Sequence, residues 1–141
     1  MNIVVAMTAS PEARAAALAA IDEAALRGAD VVLMPEPGTV SHHTASEPAT
    51  GTATDPVSDP ELAGHAAAHG VTLRQDPVPD GTDFGDALID ASYLADTAMV
   101  VIGLRRRSPV GKLFLGSTSQ RILLEAGCPV HAVKVSVGAR R

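Results

Sequence analysis

Cysteine, aromatic residues and long apolar runs are scarce in this chain of 141 residues. A single cysteine, Cys128, cannot form an internal disulfide framework and is typical of a reducing compartment. No apolar run approaches the ~20 residues that span a bilayer, and no basic segment leads into a signal-type apolar stretch at the N-terminus. We therefore expect a soluble, cytoplasmic protein that does not associate with membranes.

Basic residues are scarce over most of the chain and concentrated near its end. Residues 1–96 hold 3 basic and 15 acidic side chains, whereas residues 97–141 hold 8 basic side chains and one acidic side chain. The C-terminal third should therefore attract anions, although the net charge is −5. Aromatic residues make up 2% of the chain, which leaves almost no stacking surface for single strands and argues against nucleic acid as the anion.

Short apolar runs alternate with helical patterns along the chain. Ser10 and Pro11 suit the start of the first helix, and Gly28 suits its end. Strands are predicted at residues 3–7, 31–34, 71–73, 99–102 and 130–135, and helices at residues 11–27, 61–69, 84–95 and 117–126. Continuous apolar strands separated by helices indicate a single α/β domain, with a parallel sheet that helices cover on both faces.

Residues 36–60 differ in composition from the rest of the chain. They are rich in Pro, Thr, Ser, Ala and Gly, and Val40 and Val57 are their only larger aliphatic residues. Because such a segment has little to bury, we expect a flexible loop, and a tolerated insertion is favoured over a lid. Residues 137–141 are expected to form a disordered tail.

Two histidines on the second predicted helix have a spacing that can hold a metal ion. His65 and His69 are four residues apart and so share a helix face, but three alanines separate them and no third ligand is obvious. An incidental role is therefore favoured, and no metal site is predicted. Cys128 precedes an apolar strand, where cysteine usually behaves as a small buried hydrophobe rather than a nucleophile.

The segment 100–134 has the pattern of an anion-binding unit. An apolar run ends at Gly103, which is expected to turn the backbone out of the sheet. Gly116 and Ser117 open an amphipathic helix whose first amides have no internal partners. Three arginines, residues 105–107, and Lys112 lie between these glycines. Free backbone donors and positive side chains therefore converge on one region.

The same residues resemble a glycine pattern of the universal stress protein family: a glycine, two residues, a second glycine, nine residues, then Gly-Ser or Gly-Thr. Gly103 and Gly116 occupy the outer positions, Arg106 stands at the middle glycine, and Gly111 follows later in the loop. Residues 2–21 resemble the family's first strand and helix, with Thr8 at the position of its aspartate. The sequence GCPVHAVK resembles the closing strand.

The resemblance implies a five-stranded parallel sheet of order 3-2-1-4-5 that binds an adenine nucleotide between strands 1 and 4. ATP is the expected ligand, accompanied by Mg²⁺ where a triphosphate is bound. The residues expected to contact the nucleotide are Met7, Thr8, Glu36, Gly103, Arg105, Arg106, Gly111, Gly116, Ser117, Thr118 and Ser119. The family also implies a nucleotide-responsive stress or regulatory protein, at most slow ATP hydrolysis, and a homodimer paired through residues 130–135.

Two departures from the family pattern keep an alternative open. Thr8 has no carboxylate, and Arg106 could either crowd the approach of a phosphate or replace a backbone contact with a charge. The alternative is a dimeric interaction protein of the same family that does not bind nucleotide. An enzyme built on this sheet is a third hypothesis, and the sequence offers no identifiable catalytic group for it.

Overall fold

The computed structural model describes residues 1–37, 56–105 and 115–135, in which strands and helices alternate. The strands are β1 (Asn2–Met7), β2 (Asp30–Pro35), β3 (Leu73–Gln75), β4 (Thr97–Arg105) and β5 (Val130–Val135). The helices are α1 (Pro11–Arg27), α2 (Pro60–Ala68), α3 (Phe84–Ser92) and α4 (Ser117–Glu125), and a 3₁₀ turn, Pro56–Ser58, precedes α2. None of these helices is both long and apolar enough to cross a membrane.

The sheet is parallel throughout and has the predicted order, β3-β2-β1-β4-β5. β1 lies at its centre, where Val4 is opposite Val32 of β2 on one side and Val100 of β4 on the other. The connection that follows β1 leads to β2, on the β3 side of the sheet, whereas the connection that follows β4 leads to β5, at the opposite edge. Connections that diverge in this way open a crevice at the carboxyl ends of the two strands.

Helices cover both faces of the sheet, as predicted. Ile3 and Val5 of β1 belong to one apolar cluster, with α1 and α2, whereas Val4 and Ala6 belong to a second cluster, with α3 and α4. All six residues of β1 are buried. Both faces of the strand are covered, and this explains why its residues 3–7 are all apolar.

The start of α1 follows its local sequence signals. The Ser10 hydroxyl accepts the N–H of Ala13, and Gly28 ends the helix in the left-handed conformation, with φ of 68°. The buried face of α1 is almost entirely alanine: Ala13, Ala16, Ala17, Ala20, Ile21 and Ala24. Small side chains on this face let the helix lie close to the sheet.

α3 is shorter than its apolar pattern predicts. The helix ends at Ser92, and Leu94 is 59% exposed instead of continuing the buried face. The buried Ser92 hydroxyl donates to the carbonyl of Ile89 and accepts the N–H of Gly127 at 2.8 Å, so the turn before β5 fixes the end of α3. A contact between residues so far apart in sequence is invisible to helical periodicity.

Residues 38–55 and 136–141 lie outside the described residues, and with them most of the predicted loop and the predicted tail. The described ends of the 36–60 segment are anchored. The N–H of Glu36 donates to the carbonyl of Met7 at 2.8 Å, and the side chain of Asp59 caps α2.

Gly103 lies inside β4, opposite Val133 of β5, so the predicted turn out of the sheet at this residue is wrong. A Cβ atom at this position would lie 2.2 Å from the carbonyl oxygen of Glu12 and 2.9 Å from its Cβ. The glycine is required because the first turn of α1 crosses the β4 backbone in direct contact there.

We expect Gly103→Ala to destabilise the fold by about 1–3 kcal/mol, since the added methyl group must push α1 away from β4. Gly116→Ala is the matched control, because a Cβ atom at that position has no neighbour within 4 Å. Thermal unfolding followed by circular dichroism should give a lower Tm for Gly103→Ala and a near-wild-type Tm for Gly116→Ala. Equal Tm values for the two variants would contradict the close contact.

Candidate functional site

A crevice of about 100 Å³ lies at the carboxyl ends of β1 and β4. Its lining residues are Ala6, Thr8, Ala13, Glu36, Phe84, Ile102, Gly103, Thr118, Ser119 and Ile122. The lining combines buried aliphatic side chains, such as Ile102 and Ile122, with hydroxyl groups and one acidic residue. An apolar hollow with a few polar groups is the usual form of a small-molecule site.

The crevice gathers residues from five separate parts of the sequence. Five of the predicted site residues line it: Thr8, Glu36, Gly103, Thr118 and Ser119. Met7 does not line it, but its carbonyl accepts the Glu36 amide and so holds the ends of β1 and β2 together. Gly116 and Ser117 are exposed at the start of α4, next to Thr118.

The basic residues after β4 contribute no described side chain. Arg105 is the last residue of β4, and only its backbone is described. Arg106 and Gly111 lie outside the described residues. The roles expected for these three residues stay predictions.

The start of α4 differs from the starts of the other helices. The side chains of Ser10, Asp59 and Asp83 accept first-turn amides of α1, α2 and α3. α4 starts after Gly116, which offers no side-chain cap, and its first intrahelical bond runs from the Gln120 N–H to the Gly116 carbonyl. The amides of residues 117–119 precede that bond, so they and the helix dipole favour an anion beside the crevice.

Thr8 is held by the N-terminus of α1. Its hydroxyl oxygen is 2.8 Å from that of Ser10, which also accepts the N–H of Ala13 at 3.1 Å. Thr8 therefore presents a neutral group where the family pattern has an aspartate. Within the described part of the lining, the acidic residue is Glu36, at the end of β2.

A second cavity, of about 260 Å³, adjoins the crevice and shares Glu36 with it. It lies beyond the carboxyl ends of β2 and β3, and its lining residues are Pro35, Glu36, Pro37, Gln75, Pro77, Val78, Pro79, Asp80, Gly81 and Thr82. The Oε1 atom of Gln75 is buried and has no hydrogen-bond partner among the described residues. A buried acceptor without a partner is costly in a folded protein, so it marks a position where a ligand donor would be stabilising.

Gln75 was not among the residues predicted from the sequence. The signal available for it was its position as the polar residue that ends β3, directly before the proline-rich segment 76–82. That signal is weak because β3 has only three residues, and its pairing with β2 is a long-range contact.

Arg121 on α4 is a cation close to the crevice, yet carboxylates surround it. Its guanidinium donates to Asp86, to Asp83 at 3.1 Å and to Glu125 at 3.4 Å. The hydrogen bond and charge of Asp86, with smaller contributions from Asp83 and Glu125, raise the pKa of Arg121 above its ordinary value. This side chain therefore clamps α4 to α3 and is not a free charge for a ligand.

Cys128 lies before β5, at the opposite end of the sheet from the crevice. Burial raises the pKa of its thiol, and a weaker hydrogen bond with the Val100 backbone opposes the rise. A protonated, half-buried thiol is a poor nucleophile, and Cys128 packs against the second apolar cluster.

Comparison with known proteins gives a consistent result. The model of the universal stress protein family matches residues 1–134. A universal stress protein of Mycolicibacterium smegmatis is 37% identical over 134 residues, which cover 94% of this chain and 96% of the relative. The solved structure of a universal stress protein from Archaeoglobus fulgidus has a TM-score of 0.70 and 28% identity, and the match covers 95% of this chain and 98% of that one.

Several solved structures of the same fold contain a nucleotide. The Archaeoglobus fulgidus protein in complex with dAMP has a TM-score of 0.63 and 22% identity, over 95% of this chain and 98% of that one. A universal stress protein in complex with cAMP has a TM-score of 0.63 and 20% identity, over 96% and 98% of the two chains. An Arabidopsis thaliana family member with AMP bound has a TM-score of 0.60 and 14% identity, over 97% and 93%.

Proposed function

Since this chain belongs to the universal stress protein family, we propose that it binds an adenine nucleotide, ATP in preference, and acts as a nucleotide-responsive stress or regulatory protein. The main support is the start of α4, where no described side chain caps the first backbone amides. These amides lie beside a crevice lined by Thr8, Gly103 and Thr118. Family members of the same fold that contain dAMP, cAMP or AMP support it. The single cysteine supports a cytoplasmic location.

The phosphates are proposed to lie at the start of α4. The amides of residues 117–119 would donate to phosphate oxygens, and the hydroxyls of Ser117 and Ser119 would add further hydrogen bonds. Gly103 keeps this end of the crevice open, because any side chain there would occupy the space between β4 and α1. Mg²⁺ bound with a triphosphate would be held mainly by phosphate oxygens and water.

The base is proposed to lie in the second cavity. A side-chain amide can form two hydrogen bonds with the edge of adenine, and Gln75 brings such an amide to the lining with an oxygen that no described residue pairs. Glu36, shared by the two cavities, is proposed to accept hydrogen bonds from the ribose hydroxyls and so to substitute for the carboxylate that Thr8 lacks. The combined volume of the two cavities lies within the range of roughly 300–1,000 Å³ that is typical of small-molecule sites.

Nucleotide binding should raise the thermal stability of the protein. At one hundred times the dissociation constant, linkage adds about 2.7 kcal/mol to the free energy of unfolding. Gly116→Val should abolish the shift, since a branched side chain would occupy the space in front of the α4 amides. Gly64→Val is the control: as at Gly116, a Cβ atom at Gly64 has no neighbour within 4 Å, but Gly64 lies on α2. If the Tm of the wild-type protein does not rise with millimolar ATP, ADP, AMP or cyclic AMP, with or without Mg²⁺, nucleotide binding is refuted. A dimeric interaction protein that does not bind nucleotide would then be favoured.

Gln75→Leu should separate base recognition from phosphate binding. Loss of two hydrogen bonds to adenine should weaken nucleotide binding by about 1–3 kcal/mol, while binding of inorganic triphosphate stays unchanged. Without ligand, the variant should be as stable as the wild type or more stable, because the substitution removes a buried acceptor that has no partner among the described residues. Isothermal titration with ATP and with triphosphate measures both affinities. An unchanged ATP affinity would refute the placement of the base.

We also propose a homodimer formed through β5, an edge strand in this chain. The N–H of Val100 donates to the carbonyl of Pro129 at 3.0 Å, so the backbone groups of Pro129 face β4. Because successive residues of a strand direct their backbone groups to opposite sides, those of residues 131, 133 and 135 also face β4. The groups of residues 130, 132 and 134 face outward, and antiparallel pairing with a second β5 would satisfy them.

Two proline substitutions distinguish the dimer contact from the fold. Ala132→Pro removes an outward amide and should dissociate the dimer while the Tm of the monomer stays near that of the wild type. Val133→Pro removes an amide that faces β4 and should lower the Tm. Light scattering after size exclusion, together with circular dichroism, measures both effects. A wild-type monomer, or an Ala132→Pro variant that stays dimeric, would contradict pairing through this strand.

A further inference from the structure

A cluster of potential metal ligands lies at the contact between α1 and α2, away from the crevice. Asp22 of α1 meets His65 and His69, at the end of α2, and one ligand atom from each residue lies within 4.8 Å of the other two. His65 Nε2 is 2.7 Å from Asp22 Oδ1, and His69 Nε2 is 4.0 Å from the same oxygen. All three side chains are partly exposed, so a hydrated ion can reach them.

The fold supplies the third ligand that the histidine spacing lacks. Asp22 is 43 residues from His65 in sequence, and nothing in the sequence shows that the two helices meet at this level. Arg14, two turns earlier on α1, fixes the relative position of the helices. Its guanidinium donates to Asp59 and, at 2.6 Å, to Glu61, at the start of α2. The ligands are thus carried by two helices that are tied together before any ion binds.

The tautomer of His69 is set for coordination. Its Nδ1 atom is 2.9 Å from the carbonyl oxygen of His65, and because a carbonyl can only accept, Nδ1 carries the proton. In the neutral ring Nε2 is then an unprotonated donor atom, and Nε2 is the atom near Asp22. A backbone bond to the second ring nitrogen is the common way to orient a metal-binding histidine.

We propose that Asp22, His65 and His69 bind a divalent late first-row transition ion, with Zn²⁺ as the representative ion. Two imidazoles and one carboxylate are a known zinc ligand set that leaves the fourth position to water, whereas Mg²⁺ prefers oxygen ligands alone. Zinc–ligand bonds of roughly 2.0–2.2 Å require small movements of the side chains. His65 and Asp22 must move apart to admit the ion, and His69 must move toward them. The ion replaces the proton that His65 shares with Asp22 and joins α2 to α1.

This site is independent of the proposed nucleotide site, and its test needs no nucleotide. Tag-free, chelator-treated full-length protein is titrated with ZnCl₂ in competition with a chromogenic zinc indicator. We expect one Zn²⁺ per chain, a rise in Tm with Zn²⁺, and no rise with Mg²⁺. Asp22→Asn, His65→Ala and His69→Ala should each weaken zinc binding by at least ~10–100-fold, the usual cost of losing even an outer-shell partner.

Matched variants exclude other zinc ligands of the chain. His131→Ala, Cys128→Ser and the double substitution of His42 and His43 by alanine should keep the wild-type zinc affinity. The proposal is overturned if the wild type binds no zinc, if the variants of Asp22, His65 and His69 retain its affinity, or if one of the control variants loses it. The apo forms of the three ligand variants should have near-wild-type circular dichroism spectra, since these side chains are partly exposed.

Discussion

The direct contact between the first turn of α1 and the β4 backbone at Gly103 is the constraint on which the site depends. The alanine face of α1 and the absence of a side chain at Gly103 let the helix lie against the strand. This contact brings Thr8 and the N-terminus of α1 to the carboxyl end of β4, where the crevice opens. A side chain at position 103 would displace the first turn of α1, which carries Ala13 of the crevice lining, so the fold and the site require the same glycine.

The electrostatics of the crevice follow from how each helix start is capped. The first amides of three helices are accepted by N-cap side chains, whereas no described side chain accepts the first amides of α4. Arg121 binds three carboxylates and thereby fixes α4 against α3 with this end beside the crevice. Backbone amides on a clamped helix, rather than a free side-chain charge, are therefore the groups proposed to bind the anion.

The extent to which the sequence predicts this structure depends on how local each signal is. The caps of α1 and the bounds of β5 depend on neighbouring residues, and both were predicted correctly. The strand order came from the family resemblance, because periodicity carries no information on which strands pair. Features formed by distant residues were missed: the early end of α3 at Ser92, the role of Gly103 as a helix contact, and the cavity lined by Gln75. The approach of Asp22 to His65 was missed for the same reason, since it arises only when two helices pack side by side.

Nucleotide binding at the start of α4 can be tested residue by residue through amide chemical shifts. In a ¹⁵N-resolved titration of the protein with ATP, we expect the largest shifts at the backbone amides of residues 117–119 and of Gly103, and at the side-chain amide of Gln75. The amides of Gly28 and Gly70, at the opposite end of the sheet, should stay unchanged. An unaltered spectrum at millimolar ATP, or shifts confined to the far end of the sheet, would show that no nucleotide binds at the start of α4.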